Sequence, residues 1–193
     1  MKSKIMKMMV TLFALTSISA VAGTTVKDAE GNKYPTVKIG QQIWMAKNLN
    51  VNVPGSMCYE NDPANCKKYG RLYTWKAARE ACPTGWHLPS KDEFGKLLAT
   101  VWASSGDRSE ALRAGSWNNG ANKFGFSALP AGYYNGIDKK FYDLGRDAEF
   151  WSSTEFTSGY AYHLDILSYA LADVSSHSDV GKGHGRSVRC LQD

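Results

Sequence analysis

The sequence predicts an α+β domain with two main helices, short antiparallel strands and long loops. One helix in the middle of the chain has both a capping signal and an apolar stripe. The later part alternates apolar and polar residues with a period of two, and 18 glycines suit shaped loops. Helical patterns come early and strand patterns late, which is typical of α+β proteins rather than of alternating α/β proteins.

The clearest helix begins after Pro89. Ser90 can cap it with its hydroxyl, and Glu93, three residues further on, completes a capping box. Apolar residues recur at helical spacing from Phe94 to Trp102, which predicts one buried face. A shorter helix is predicted over 74–81 and a third helical piece over 109–114.

Strands are predicted near both ends of the chain. Residues 24–28 and 34–39 flank the turn Glu30-Gly31-Asn32, which favours a hairpin. Further strands are predicted over 42–45, 150–154, 160–166 and 186–191. Period-two alternation in 160–166 puts His163 on the polar side, so we expect its side chain at the surface.

The first 22 residues resemble a secretory signal. Three lysines precede a run of 15 mostly apolar residues from Met8 to Ala22, which closes on Ala20-Val21-Ala22. A membrane-spanning helix needs about 20 apolar residues, so cleavage near Ala22 is the favoured interpretation. The sequence therefore predicts a secreted or periplasmic protein with one domain over 23–193 and no membrane span.

The net charge of the mature chain argues against a nucleic-acid partner. The whole chain has a formal net charge of +5. Removing the signal with Lys2, Lys4 and Lys7 leaves only +2, which is too weak for a basic nucleic-acid footprint.

Four cysteines lie in the mature part, at Cys58, Cys66, Cys82 and Cys190. An even number in an exported chain indicates disulfides, and four cysteines allow three pairings. The turn-rich segment between Cys58 and Cys66 favours a local hairpin staple, which leaves Cys82 for Cys190. The alternative is a metal site, although the spacings differ from those of zinc knuckles.

Motifs for catalysis are absent from the sequence. It has no G-x-S-x-G, H-E-x-x-H or P-loop, and we predict no catalytic residue, metal or cofactor. His87, between apolar neighbours, is interpreted as a structural histidine. His177 and His184 lie with Asp173 and Asp179 in a glycine-rich segment, where a solvated loop is favoured over a metal site.

Carboxylate pairs keep an enzyme interpretation open. Asp143 with Asp147, or Glu149 with Glu155, could hydrolyse glycosides if the two groups faced each other across a cleft. Spacing in the sequence cannot establish such a separation.

Aromatic residues provide the candidate ligand surface. Two aromatic segments flank the turn Gly136-Ile137-Asp138, and tyrosine offers an apolar ring with a polar tip. The alternative is a hairpin whose rings pack on the core or across the strands. The candidate ligand-binding residues are Tyr133, Tyr134, Asn135 and Tyr142.

The chain resembles the Fibrobacter succinogenes major paralogous domain family over nearly all of its mature length. The resemblance is carried by the segments 37–40, 42–49, 69–75, 81–90, 125–130, 151–155 and 187–190. They include Cys-Pro-Thr-Gly-Trp-His-Leu-Pro-Ser at 82–90 and Ser-Val-Arg-Cys at 187–190. Small departures occur at Ala131 and Phe94, where the family more often has glycine and tryptophan.

The resemblance implies an exported bacterial protein without an established activity. The order of helices, Cys82 and the late strands in this family is also similar to the C-type-lectin-like fold. A disulfide from the first helix to the last strand is typical of that fold and supports pairing Cys82 with Cys190. Calcium is not expected, because Asn119 in Trp117-Asn118-Asn119 replaces the aspartate of calcium lectins. Bridged cysteines also disfavour the chemistry of the formylglycine-generating relatives.

The resulting expectation is an exported binding or interaction module whose loops contact a glycan or a surface partner. The alternatives are a carbohydrate-processing hydrolase, which would need two converging carboxylates, and a structural component of the cell surface.

Overall fold

The computed structural model describes residues 24–175 and 181–193, so the predicted signal over 1–22 lies outside the described residues. The described helices are α1 (Pro63–Tyr69), α2 (Trp75–Ala81), α3 (Lys91–Ser105) and α4 (Arg108–Leu112). The described strands are β1 (Thr25–Lys27), β2 (Lys33–Ile39), β3 (Gln42–Met45), β4 (Ser56–Met57), β5 (Leu72–Tyr73), β6 (Trp86–His87), β7 (Ala131–Asn135), β8 (Lys140–Leu144), β9 (Asp147–Thr157), β10 (Tyr160–Leu167), β11 (Asp173–Ser175) and β12 (Leu191–Gln192). This mixture of helices and antiparallel strands confirms the α+β prediction. Among the described helices, none has the length and apolar character needed to cross a membrane.

Two antiparallel sheets organise the fold. A five-stranded sheet has the order β1-β2-β3-β12-β6, and a three-stranded sheet has the order β11-β10-β9. The first sheet begins with the predicted hairpin, in which Val26 lies opposite Tyr34. Two further pairs, β4-β5 and β7-β8, form small ribbons at the side.

The predicted capping box begins α3. The Ser90 hydroxyl accepts a hydrogen bond from the Glu93 backbone N–H, and the Glu93 carboxylate accepts one from the Ser90 N–H at 2.7 Å. The helix ends at Gly106, whose φ of +71° suits a residue without a side chain. Most of the predicted apolar stripe of α3 is buried against the three-stranded sheet, where Phe150 and Leu164 face it, but Trp102 at its end is 50 % exposed.

His87 links β6 to α3 and to the last residue of the chain. Its ring nitrogens lie 2.7 Å from an Asp193 carboxylate oxygen and 3.0 Å from a Glu93 carboxylate oxygen. Partial burial lowers the pKa of His87, but the two carboxylates outweigh burial and raise the pKa above its ordinary 6.5. The contacts are those of a structural histidine.

The pH dependence of stability should reveal this linkage. Because the folded-state pKa of His87 is raised, its stabilising contribution is complete below pH 6.5 and is lost as the pH rises through the folded value. The difference in melting temperature between wild type and His87→Gln should therefore shrink from mildly acidic to alkaline buffer. The effect should be modest, since the side chain is 37 % exposed. A difference that grows with pH would contradict this assignment.

A buried arginine joins three separate parts of the fold. Arg189 is 0 % exposed and donates hydrogen bonds to the carbonyl oxygens of Met45 and Phe126 and to the Asn48 side-chain oxygen. Its guanidinium lies 4.4 Å from the centre of the Phe126 ring. Burial lowers the pKa of Arg189 to about 9, so the group stays charged at neutral pH.

Both predicted cysteine pairs are present as disulfides. Cys58 is bonded to Cys66 within one local segment, with 5.0 Å between their Cα atoms. Cys82, at the end of α2, is bonded to Cys190, which is 108 residues away in the sequence and fully buried beside β12. The second bond therefore ties the middle of the chain to its end.

Two predicted elements differ from the structure. The local disulfide does not close a hairpin: Asp62 caps α1 by accepting a hydrogen bond from the Ala64 N–H, and Pro63 occupies the first helical position, which suits proline. The strand predicted over 186–191 is wrong for most of its length, since only Leu191 and Gln192 form a strand. Residues before them make isolated bridges instead, because they cross between β5 and β9.

Candidate functional site

The three-stranded sheet has two faces of opposite character. Along β9, Ala148 and Phe150 point into the main core, and along β10 Leu164 and Ile166 do the same. Because side chains alternate along a strand, the intervening residues share the other face. That face presents Asp147, Glu149, Trp151, His163 and Asp165.

Two carboxylates meet across the β9–β10 ladder. Glu149 lies directly opposite Asp165 in the antiparallel register. Like charges in this position destabilise a sheet, and here both are largely removed from water, with side-chain exposures of 10 % and 15 %. Such an arrangement needs local compensation and is unusual for a strand pair that has only a structural role.

Arg186 provides part of that compensation. Its Nε lies 2.6 Å from a Glu149 carboxylate oxygen, and its side chain is only 5 % exposed. The guanidinium lies over Trp151, 4.8 Å from the ring centre, and 5.5 Å from the ring centre of Tyr133. Burial raises the pKa of Glu149, and the charge of Arg186 acts in the opposite direction.

Close packing against the β7–β8 hairpin fixes the position of Arg186. The backbones of Gly185 and Tyr134 exchange hydrogen bonds at 2.8 and 2.9 Å. A Cβ on Gly136 would collide with the Gly183 carbonyl oxygen, so this approach requires glycine. The segment that carries Arg186 is thereby held over the polar face of the sheet.

His163, Asp165 and Ser175 form a compact group beside Glu149. The His163 Nε2 lies 3.0 Å from both the Ser175 hydroxyl and an Asp165 carboxylate oxygen, and Ser175 also donates to the other Asp165 oxygen at 2.5 Å. Burial raises the pKa of Asp165, but the contacts with His163 and Ser175 outweigh burial and lower it.

This group does not have the geometry of a serine-hydrolase triad. In a triad the imidazole lies between the other two groups and uses one nitrogen for each. Here a single nitrogen of His163 faces both Ser175 and Asp165, and Ser175 donates directly to Asp165. The hydroxyl is therefore held by the carboxylate rather than activated by the histidine.

Asp147, two residues before Glu149 on β9, lies on the same polar face of the sheet. Its side chain is 5 % exposed, and its Oδ2 lies 3.4 Å from Arg146 Nε. Its Oδ1 has no hydrogen-bond partner among the described residues. Burial raises the pKa of Asp147 to about 6 although Arg146 lowers it.

These side chains line a cavity of about 320 Å³, here named the Glu149 cavity. Its polar wall comes from the sheet and from Arg186, and its rim includes the rings of Tyr133 and Tyr169. The lining contains four carboxylates and two guanidiniums, which is a formal charge of −2 with the histidines neutral. The charged members are Asp143, Asp147, Glu149, Asp165, Arg146 and Arg186. A polar ligand with a positive region would complement this wall.

Comparison with known proteins identifies the family. A model of the Fibrobacter succinogenes major domain matches residues 37–192. The chain belongs to this family. No curated protein and no solved structure matches the chain. The family match covers every residue that lines the Glu149 cavity and leaves out β1.

The four candidate ligand residues of this Fibrobacter succinogenes major domain occupy different positions. Tyr133 and Asn135 line the Glu149 cavity. Tyr142 stacks on Tyr133 with 5.6 Å between ring centres and donates its hydroxyl to Asp138, so it supports the rim from behind. Tyr134 points to the other face of β7, where it packs against Phe141.

Two histidines that were predicted at the surface or in a solvated loop are buried. His163 is only 2 % exposed, because its ring packs edge-on against Trp151 and its Nε2 contacts Ser175 and Asp165. His184 is 4 % exposed and lines the Glu149 cavity, so its part of the glycine-rich segment is not a solvated loop. His177 and Asp179 lie outside the described residues.

The two carboxylate pairs that the sequence suggested have different outcomes. Asp143 and Asp147 both line the Glu149 cavity, and Arg146 forms an ion pair with each. Glu149 meets Asp165, whereas Glu155 is half exposed and forms an ion pair with Lys182. A signal was present in the alternation of titratable and apolar residues, Asp-Ala-Glu-Phe over 147–150 and His-Leu-Asp-Ile over 163–166. The sequence alone could not set the register that brings the two patterns together.

Proposed function

We propose that this family member is an exported ligand-binding module and that its ligand is a polar, carbohydrate-like molecule held in the Glu149 cavity. The observation that carries the proposal is a cavity with buried charged groups on its wall and tyrosine rings at its rim. Small-molecule sites commonly combine a few fixed polar groups with aromatic surface in a concavity of about 300–1,000 Å³.

Sugar chemistry suits both parts of this lining. Hydroxyl groups donate to carboxylates and accept from guanidiniums, and the cavity offers Glu149, Asp165 and Arg186 for these roles. Tyr133 is held by its stack with Tyr142 and by Arg186 over its ring, so this rim residue is positioned before the ligand arrives. The net negative lining favours a ligand with an amino group over an acidic one.

The fold and the disulfides support the rest of the proposal. Helix α2, helix α3, the late sheet and the bond from Cys82 to Cys190 follow the order expected of a C-type-lectin-like domain. Two disulfides suit an oxidising compartment, as does the apolar segment that ends at Ala22. We assign the domain to that fold and to the periplasm or cell exterior as parts of this proposal.

A neutral and amino-sugar glycan screen, read by thermal shift and then by calorimetry, tests the proposal. Tyr133→Ala should weaken binding of any hit by about tenfold, since the ring contributes contact area at the rim. Tyr160→Ala is the matched control, because Tyr160 is 36 % exposed and does not line the cavity. Equal affinities for both variants, or no hit from the screen, would refute the proposed site.

A carbohydrate hydrolase is the second candidate, since Glu149 and Asp165 face each other in the cavity. Their environments raise the pKa of the first and lower that of the second, as an acid and a nucleophile require. Against this, Glu149 is ion-paired with Arg186, and Asp165 is engaged by Ser175 and His163. If wild type released reducing sugar in the same screen and Glu149→Gln did not, the function of the cavity would be hydrolysis rather than binding alone.

A further inference from the structure

We infer that the Glu149 cavity holds one divalent transition-metal ion, of the zinc or manganese class, between Glu149, His163 and Asp165. The three side chains each offer one ligand atom, and these atoms lie within 4.8 Å of one another. Two ligands of a single zinc ion lie no more than about 4.4 Å apart. Only small side-chain movements separate the present arrangement from coordination.

The donor set selects the class of ion. One imidazole and two carboxylates suit zinc and manganese, whereas calcium prefers six to eight oxygen ligands and magnesium an octahedron of oxygens. The hydrogen bond between His163 and Asp165, at 3.0 Å, needs a shared proton that a metal ion can replace. Arg186 can remain ion-paired with the Glu149 oxygen that the ion does not take, because a carboxylate has two oxygens.

A second observation, independent of the three ligands, points to a bound cation. The Asp147 side chain is 5 % exposed and lines the same cavity, yet its Oδ1 has no hydrogen-bond partner among the described residues. A buried carboxylate oxygen without a partner is costly. The unpartnered Asp147 oxygen and the formal lining charge of −2 both indicate that the cavity would be stabilised by a bound cation.

The inference does not depend on the carbohydrate ligand, and the ion alone tests it. Untagged full-length protein, stripped with a chelator, is titrated by calorimetry with Zn²⁺, Mn²⁺ and Ca²⁺ in separate runs. One Zn²⁺ or Mn²⁺ per chain should bind at micromolar concentration, and Ca²⁺ should bind far more weakly. Glu149→Gln and Asp165→Asn should each weaken zinc binding by about 10–100-fold or more.

Glu80→Gln is the matched control, since Glu80 is an exposed acid on α2 that does not line the Glu149 cavity and should leave the affinity unchanged. Near-ultraviolet circular dichroism establishes that each variant is folded. Absence of zinc and manganese binding by wild type would overturn the inference without reference to any variant. It would also be overturned by equal affinity in both folded ligand variants, or by a preference for Ca²⁺.

Discussion

The double variant Cys82→Ala/Cys190→Ala is expected to lose about 4–5 kcal/mol of unfolding free energy. The Cys82–Cys190 bond closes a loop of 108 residues. In the chain-entropy model, closing such a loop lowers the conformational entropy of the unfolded state and so destabilises it by about this free energy. For a domain of this size, the loss corresponds to a fall in melting temperature of about 10–20 °C. Denaturant unfolding and calorimetry measure the two quantities.

The other disulfide provides the control. Cys58→Ala/Cys66→Ala removes a bond that spans only eight residues, for which the same model gives about 2–3 kcal/mol. If the local pair proved as costly as the long one, the long-range bond would not be the main covalent constraint on the fold.

Arg189→Met should destabilise the domain by about 3–5 kcal/mol. The substitution keeps much of the apolar volume but leaves the carbonyl oxygens of Met45 and Phe126 without their buried donor. Arg189→Lys should also be destabilising, because a single ammonium cannot reproduce the planar set of donors. Equilibrium unfolding in urea measures both variants.

Arg79→Met is the matched control for this prediction. Arg79 is exposed and lies over the Trp75 ring at 4.9 Å, so its replacement should change stability by less than about 1 kcal/mol. An unfolding free energy of Arg189→Met within that same range would show that the buried guanidinium is not a structural junction.

Local signals were sufficient for much of the fold. Helix α3 was predictable because its capping box and its apolar stripe both lie within one segment. The β1–β2 hairpin was predictable from its turn for the same reason. Helix α1 was missed although Asp62-Pro63 is a typical helix start, because a helix of only seven residues carries little periodicity.

The candidate site depends on contacts that no local pattern contains. Tyr133 and Asn135 could be proposed from their residue types, and they lie at the rim of the Glu149 cavity. Glu149 and Asp165 meet only through the register of β9 and β10. His163 could be assigned to the polar face of its strand, but its burial depends on contacts with Trp151 and Ser175, which lie on the neighbouring strands.

The segment that carries Arg186 explains why the cavity is both charged and largely shielded from water. Trp151 and Tyr133 hold the guanidinium of Arg186 from two sides, and Arg186 in turn offsets the charge of Glu149. The polar face of β9 and β10 is therefore neither an ordinary solvated surface nor part of the apolar core. Such a preorganised set of charges lowers the reorganisation that a ligand or ion would need on binding.

The most direct test of the account is a nuclear magnetic resonance titration of the labelled domain with a ligand from the glycan screen. We expect amide shifts to concentrate in β9, β10, the β7–β8 hairpin and residues 181–186, which surround the Glu149 cavity. Shifts centred instead on the lysine-lined hollow of Lys33, Lys47 and Lys67, with Glu149 and His163 unchanged, would contradict it.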